Sequence, residues 1–269
     1  MNDMRASSHV LPYYPDARKA SVLVEAFLWY TRLTLGVGED RIALLSSVCS
    51  DDLNSVELPD TDMVGPFILG GLDGYPFVGK TGLGAFSHHV PEPGAALLFF
   101  GPHVGITDAG QAGRVIRPGQ SAPSDCCGAA MAGLRKLEAG GITYKRPCDF
   151  AVDDYQQETL EQLLLKYADE ILGAGPPDEA RRFVRLTEVI YRETKQTLLN
   201  LLNRIQFGEP AFVFGGILIN EDGGRGSSIA IRDVIGVQDG NLVNLTNEFV
   251  ERTGEKFRNL EAGKVDVFR

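Results

Sequence analysis

The chain has 269 residues, 43% hydrophobic and 23% charged, an ordinary globular balance with enough apolar material for a substantial core. Its 36 acidic residues against 26 basic ones leave a net charge of −10, which argues against nucleic acid as the main partner, because phosphate recognition draws on Lys and Arg. No stretch approaches the roughly eighteen apolar residues that span a bilayer, and the opening MNDMRASSHV has neither leader nor transit character, so the expectation is a cytoplasmic protein with no membrane partner.

Residues 16–35 carry apolar side chains at Val22, Leu23, Phe27, Leu28, Tyr30 and Leu33, with Asp16 available as a cap. They predict an amphipathic helix whose wide apolar face needs a partner. After a turn at 36–40, the run RIALLSSV at 41–48 suits a buried strand and delivers Cys49 at its carboxyl end, where open α/β sheets place their ligands. Residues 65–94 are rich in glycine and contain Pro66, Pro76, Pro91 and Pro93. They read as a loop-rich insert in which the stretch after Lys80 holds no stable helix. AALLFFG at 95–101 is a second buried strand, and His103 follows it as Cys49 follows the first.

Ser124 and Asp125 offer capping side chains for a helix over 128–139, which puts Cys126 and Cys127 at its N-terminus. There the free N–H groups and the macrodipole favour a thiolate. Residues 154–172 and 178–205 predict a helical hairpin broken at 173–177. AFVFGGILIN at 211–220 and the segment 228–237 predict paired strands, and 245–260 a weak helix. No repeat or linker interrupts the sequence, so a single α/β domain over 1–269 is expected.

Four cysteines are too few for a disulfide framework in a chain of this length, and thiols then serve as metal ligands or redox groups. Cys49, His103 and one of the vicinal Cys126 and Cys127 make a zinc donor set. Three protein ligands leave a fourth tetrahedral position for water, the mark of a catalytic site. Adjacent side chains at a helix start diverge by about 100°, so one of the two is expected to reach the metal; Cys127, which directly precedes Gly128, is preferred and Cys126 is read as a packing residue or a supporting thiol. Cys148, in RPCDF, is read as a buried small hydrophobe.

Asp51, two residues past Cys49, is positioned to orient a water on the metal or accept its proton, whereas Asp52 reads as a solvated turn residue. His88 and His89 are surface residues, alternative ligands in place of His103, or proton shuttles. Gly74 to Thr81 satisfies the P-loop pattern Gly-x-x-x-x-Gly-Lys-(Ser/Thr). Pro76 removes a donor and Tyr75, Phe77 and Val78 are bulky, which argues against a phosphate cradle.

With these residues in place, GGLDGYPFVGKTGLGAFSHHVPEPG, LFFGPHVGI and SDCCGAA resemble the limiting-CO2-inducible protein B family, related to theta-class carbonic anhydrases, over roughly residues 49–130. The resemblance implies a central, mostly parallel sheet flanked by helices, similar to beta-class carbonic anhydrases, and a homodimer. It implies Zn2+ on Cys49, His103 and Cys127, and makes Asp51 the aspartate of the beta-class Cys-x-Asp-x-Arg pattern. Leu53 stands where that pattern has arginine, so the Asp51 partner must come from elsewhere, with Arg114 and Arg117 as candidate suppliers. The implied reaction is hydration of CO2 to bicarbonate against apolar walls that include Phe77, Leu83 or Phe86. The alternative is a catalytically silent zinc protein acting through assembly.

Overall fold

The computed structural model describes residues 4–54, 61–173, 178–205, 207–224, 226–238 and 241–261. Side-chain alternation along strands buried on both faces sets its architecture. In β2 (Ile42–Ser47), Ala43 and Leu45 enter one apolar cluster while Ile42 and Leu44 enter another on the opposite side. The sheet is therefore the middle of three layers.

In chain order, β1 (Arg18–Lys19) runs into α1 (Ala20–Leu35), followed by β2, β3 (Val64–Ile68), α2 (Gly79–Ser87), β4 (Ala95–Phe100) and β5 (His103–Ile106). A small ribbon of β6 (Arg114–Val115) and β7 (Ser124–Asp125) precedes α3 (Gly128–Glu138), α4 (Tyr155–Lys166), α5 (Ala168–Leu172) and α6 (Glu179–Leu202). β8 (Ala211–Glu221), β9 (Ser228–Gln238), β10 (Asn241–Asn244) and α7 (Thr246–Glu261) follow. β3, β2, β4 and β8 are parallel neighbours in that order. β5 lies parallel to the second half of β8, and β9 pairs antiparallel with β8, β1 and β10. The sheet is mostly parallel through the part that carries the site.

One face of the sheet is covered by α2 to α6, with Leu83, Phe86, Met131, Leu164, Phe183 and Ile190 among the buried residues. The other is covered by α1 and α7. Phe27 stacks on Phe214 with ring centroids 4.2 Å apart, and Tyr30 meets Phe249 edge-on at 5.3 Å. Of the apolar face of α1, Leu23, Val24, Phe27, Leu28 and Tyr30 are buried within the chain and Leu33 is exposed. Among the described residues no helix is long and apolar enough to cross a membrane.

Several expectations about local structure are corrected: α1 begins at Ala20, because residues 18–19 pair with β9, and neither Asp16 nor Ser124 or Asp125 caps a helix. The presumed insert contains strand β3 and helix α2, because burial of Leu83 and Phe86 outweighs the poor helix propensity of Gly79, Gly82 and Gly84. Cys148 is exposed rather than buried, since it sits in a short 3-10 turn, Pro147–Asp149, on the connection between α3 and α4.

A close passage of two strands sets the position of His103. β4 and β5 succeed one another alongside β8, Phe100 opposite Gly215 and His103 opposite Leu218, with a bulge in the β8–β9 pairing at Gly215 and Gly216. At the join, a Cβ on Gly101 would fall 1.7 Å from the Gly216 carbonyl oxygen, so only glycine lets the chain pass and present His103.

Candidate metal centre

Three segments remote in sequence converge at the carboxyl ends of the parallel strands. Cys49 lies just past β2, His103 opens β5 just past β4, and Cys127 caps the start of α3; all three are buried. The sulfurs of Cys49 and Cys127 are 4.0 Å apart. Two sulfurs each about 2.3 Å from one tetrahedral zinc would be roughly 3.8 Å apart, so the separation suits a shared ion. The ligand atoms of Cys49, His103 and Cys127 all lie within 4.8 Å of one another.

Asn220, on β8, decides which imidazole nitrogen is available. Its Nδ2 donates to the Leu53 carbonyl at 3.0 Å and to Ser227 Oγ at 3.4 Å, which turns Oδ1 toward His103 Nδ1 at 2.8 Å. An amide oxygen only accepts, so Nδ1 carries a hydrogen and Nε2 is the nitrogen whose lone pair a metal would take in place of a proton. Nε2 is buried with no hydrogen-bond partner. A water-excluded lone pair beside two sulfurs fits a metal ligand whose other ring nitrogen is held by an outer partner.

Asp73, which sequence reasoning missed, links two of these residues. Fully buried and held at φ 50°, it donates its backbone N–H to Cys49 Sγ at 3.1 Å and accepts the His103 backbone N–H on Oδ1 at 3.1 Å. Its second oxygen, Oδ2, is buried without a partner. Nothing in the sequence flagged it beyond its place in a Gly-rich turn. Asn220 is likewise invisible until the β5–β8 register is known.

The charges gather in one water-poor volume. Hydrogen bonding with Cys127 draws the Cys49 thiol down to about 4 against the effect of burial, with His103 adding to the drop. The same contact and burial push Cys127 well above the usual thiol range. Burial by itself would depress His103, but contacts with Cys126 and Cys49 raise it well above 6.5, and burial lifts Asp73 to about 7. A cluster of thiol, thiolate and carboxyl groups with one imidazole is short of positive charge, which a divalent cation supplies.

Cys126 lies on the Nδ1 side of the ring, its sulfur 3.6 Å from Nδ1 and 3.5 Å from Asn220 Oδ1. Asp51, His103 and Cys126 also place ligand atoms within 4.8 Å of one another. That grouping is the poorer ion site, since Nδ1 is already engaged with Asn220.

Asp51 is held from the side. Arg117 Nη2 donates to Asp51 Oδ2 at 2.6 Å, Arg117 Nε to Asp52 Oδ1 at 3.2 Å, and Arg117 Nη1 to Ser124 Oγ at 2.6 Å. The Leu53 N–H reaches Asp51 Oδ1 at 3.1 Å. Burial would raise the Asp51 carboxyl, yet the Leu53 amide, His103, Asp52 and Arg117 together hold it below the usual carboxylate value. Arg114 points elsewhere, 3.7 Å from Glu179.

The family model for limiting CO2-inducible proteins B/C beta carbonic anhydrases matches residues 29–239, the segment that carries all of these groups. The chain belongs to this family. Among solved structures, PtLCIB4, a homologue of the limiting CO2-inducible protein LCIB, superposes with a TM-score of 0.76 at 27% identity, covering 88% of this chain and 98% of that one. LCIB itself superposes at 0.65 and 21% identity over 89% of this chain and 98% of its own, a likeness of fold. No curated protein matches the chain.

In this LCIB-family chain the remaining sequence candidates fall outside the cluster. His88 and His89 stand exposed at the C-terminal end of α2, where His89 packs edge-on against Phe67, ring centroids 5.8 Å apart. Leu83 and Phe86 lie in the core beneath α2, and Phe77 packs on Tyr75 at 4.9 Å. The P-loop-like stretch does run into a helix at Gly79, but the N–H groups of Gly74, Tyr75, Phe77, Val78 and Gly79 all bond to nearby carbonyls. None of those five is free to cradle a phosphate.

Proposed function

We propose that Cys49, His103 and Cys127 hold a zinc ion and that the chain catalyses reversible hydration of CO2 to bicarbonate and a proton. The observation that carries this reading is the buried, partnerless Nε2 of His103 beside two sulfurs 4.0 Å apart. Family membership supports the reaction class. Zinc bound there supplies Lewis acidity and lowers the pKa of the water it takes up from about 15.7 toward neutrality.

The protein's own groups do the positioning. Asn220 fixes the His103 tautomer, and Arg117 keeps Asp51 ionised and aimed, so that Asp51 accepts a hydrogen bond from the nucleophile and orients it. A polar cavity of about 580 Å³, lined by His9, Asp52, Leu53, Asp108 and Asn220, adjoins the turn that carries Asp51 and offers titratable groups for proton release. The shuttle role of His88 and His89 has no such support, because neither approaches the cluster through a contact among the described residues. A homodimer belongs to this reading, supported by exposed Val64 and Ile68 on the edge strand β3.

Near-complete burial of Cys49, His103 and Cys127, at 6%, 0% and 2% exposure, favours a second reading in which the metal serves assembly alone. Stopped-flow CO2 hydration by the zinc-loaded chain, beside Cys49→Ser, separates the two. A zinc-dependent rate lost in the variant supports catalysis, and a rate no higher than buffer leaves the assembly reading.

A further inference from the structure

We infer that Asp73 is a positioning residue that sets the spacing of the metal ligands, by tying the loop after β2 to the start of β5. This inference rests on the zinc reading and deepens it.

Cys49 lies past the end of β2 and His103 opens β5 against β8, and nothing in the β2–β4 ladder joins them, since that pairing ends at Ser47 and Phe100. Beyond that point the two ligands need another tie. Asp73 provides it with two atoms of one residue: the backbone N–H reaches Cys49 Sγ at 3.1 Å, and Oδ1 takes the His103 N–H at 3.1 Å. The chain is itself pinned there. Ser47 Oγ donates to the Gly74 carbonyl at 3.0 Å, and a Cβ on Gly74 would come 2.3 Å from the Gly101 carbonyl oxygen, so the turn is wedged between the two strand ends.

The backbone of Asp73 is in the left-handed region at φ 50°, the one such non-glycine among the described residues. A side chain there is disfavoured unless its own bonds hold it, and Asp and Asn are the residues that tolerate it best. An N–H aimed at a sulfur also stabilises thiolate character in a ligand, while a carboxyl oxygen on the neighbouring ligand's amide fixes where the imidazole starts. Asp73 thus acts through Cys49 and His103.

Two variants separate positioning from folding. Asp73→Gly suits the left-handed backbone and retains the N–H to Cys49 but removes the acceptor for His103. Asp73→Asn suits the same backbone and retains an acceptor oxygen. Zinc affinity is measured by competition with a chromophoric chelator, the cobalt-substituted protein gives the sulfur-to-metal charge-transfer band, and circular dichroism reports folding. Asp73→Gly is expected to remain folded, lose about 10- to 100-fold in zinc affinity and shift the cobalt band, with Asp73→Asn recovering most of the affinity. A folded Asp73→Gly with wild-type affinity and spectrum overturns the inference while leaving the zinc reading intact. Equal losses in both variants also overturn it, because an acceptor oxygen would then not be what matters. A wild-type chain that binds no zinc removes both.

Discussion

Arg117 Nη2 sits 2.6 Å from Asp51 Oδ2, across 66 residues of sequence, and fills the part that Leu53 leaves vacant beside Cys49. The guanidinium comes from the segment just after β6 and is itself fixed by Ser124 Oγ and the Asp125 carbonyl. A pair at 17% and 12% side-chain exposure is shielded enough to matter. Arg117→Ala should reduce CO2 hydration by about 10- to 100-fold and cost about 1–3 kcal/mol in urea unfolding at pH 7.

The same pair has a pH signature. Asp51 is shifted downward on folding, so its stabilising contribution is complete above the unfolded carboxyl pKa of about 3.9 and is lost as pH falls through the lower folded value. The stability gap between wild type and Arg117→Ala should hold steady from about pH 7 to 5 and close in more acid solution. A gap that widened below about pH 4 would contradict the assignment.

Asn220→Ala removes the acceptor for His103 Nδ1–H and frees the ring to turn. Zinc affinity should fall by about 10- to 100-fold, read by chelator competition, with Asn220→Asp closer to wild type because it retains an acceptor. An unchanged Asn220→Ala affinity would mean that the tautomer is fixed by something else.

Much of this centre is legible in the amino-acid sequence, because strand ends are written in short apolar runs. RIALLSSV delivers Cys49 and AALLFFG delivers His103, and Cys127 does stand at a helix start, although Ser124 and Asp125 form β7 instead of capping it. The helices α1, α4 and α6 are plain from their periodicity. α2 is not, since three glycines in nine residues mask a helix whose stability comes from packing Leu83 and Phe86. β3 is hidden by Gly65 and Pro66 at a sheet edge, where proline is tolerated. Asp73 and Asn220 are out of reach for another reason: each acts through a long-range register that no local pattern encodes. Arg117 stands out as a candidate beside Arg114, but choosing between them requires the fold.

Gly101→Ala tests whether the close passage of β4 and β8 is what presents His103. A methyl group 1.7 Å from the Gly216 oxygen forces the strands apart, so stability should drop by about 1–3 kcal/mol and zinc affinity should drop with it. Denaturant unfolding and chelator competition on one preparation check both.

Phe27→Ala makes the complementary test on the other face of the sheet. Loss of the ring stacked on Phe214 should cost about 3–5 kcal/mol while leaving zinc content per folded molecule unchanged. A parallel loss of metal would show that the two layers are coupled through the sheet.

Zinc K-edge X-ray absorption on the purified chain bears most directly on the centre itself. One zinc per chain is expected, with two sulfurs at about 2.3 Å, one imidazole nitrogen at about 2.0 Å and one further light atom, and loss of one sulfur in Cys49→Ser. A chain that carries and takes up no zinc, or a shell of four sulfurs, would contradict this expectation.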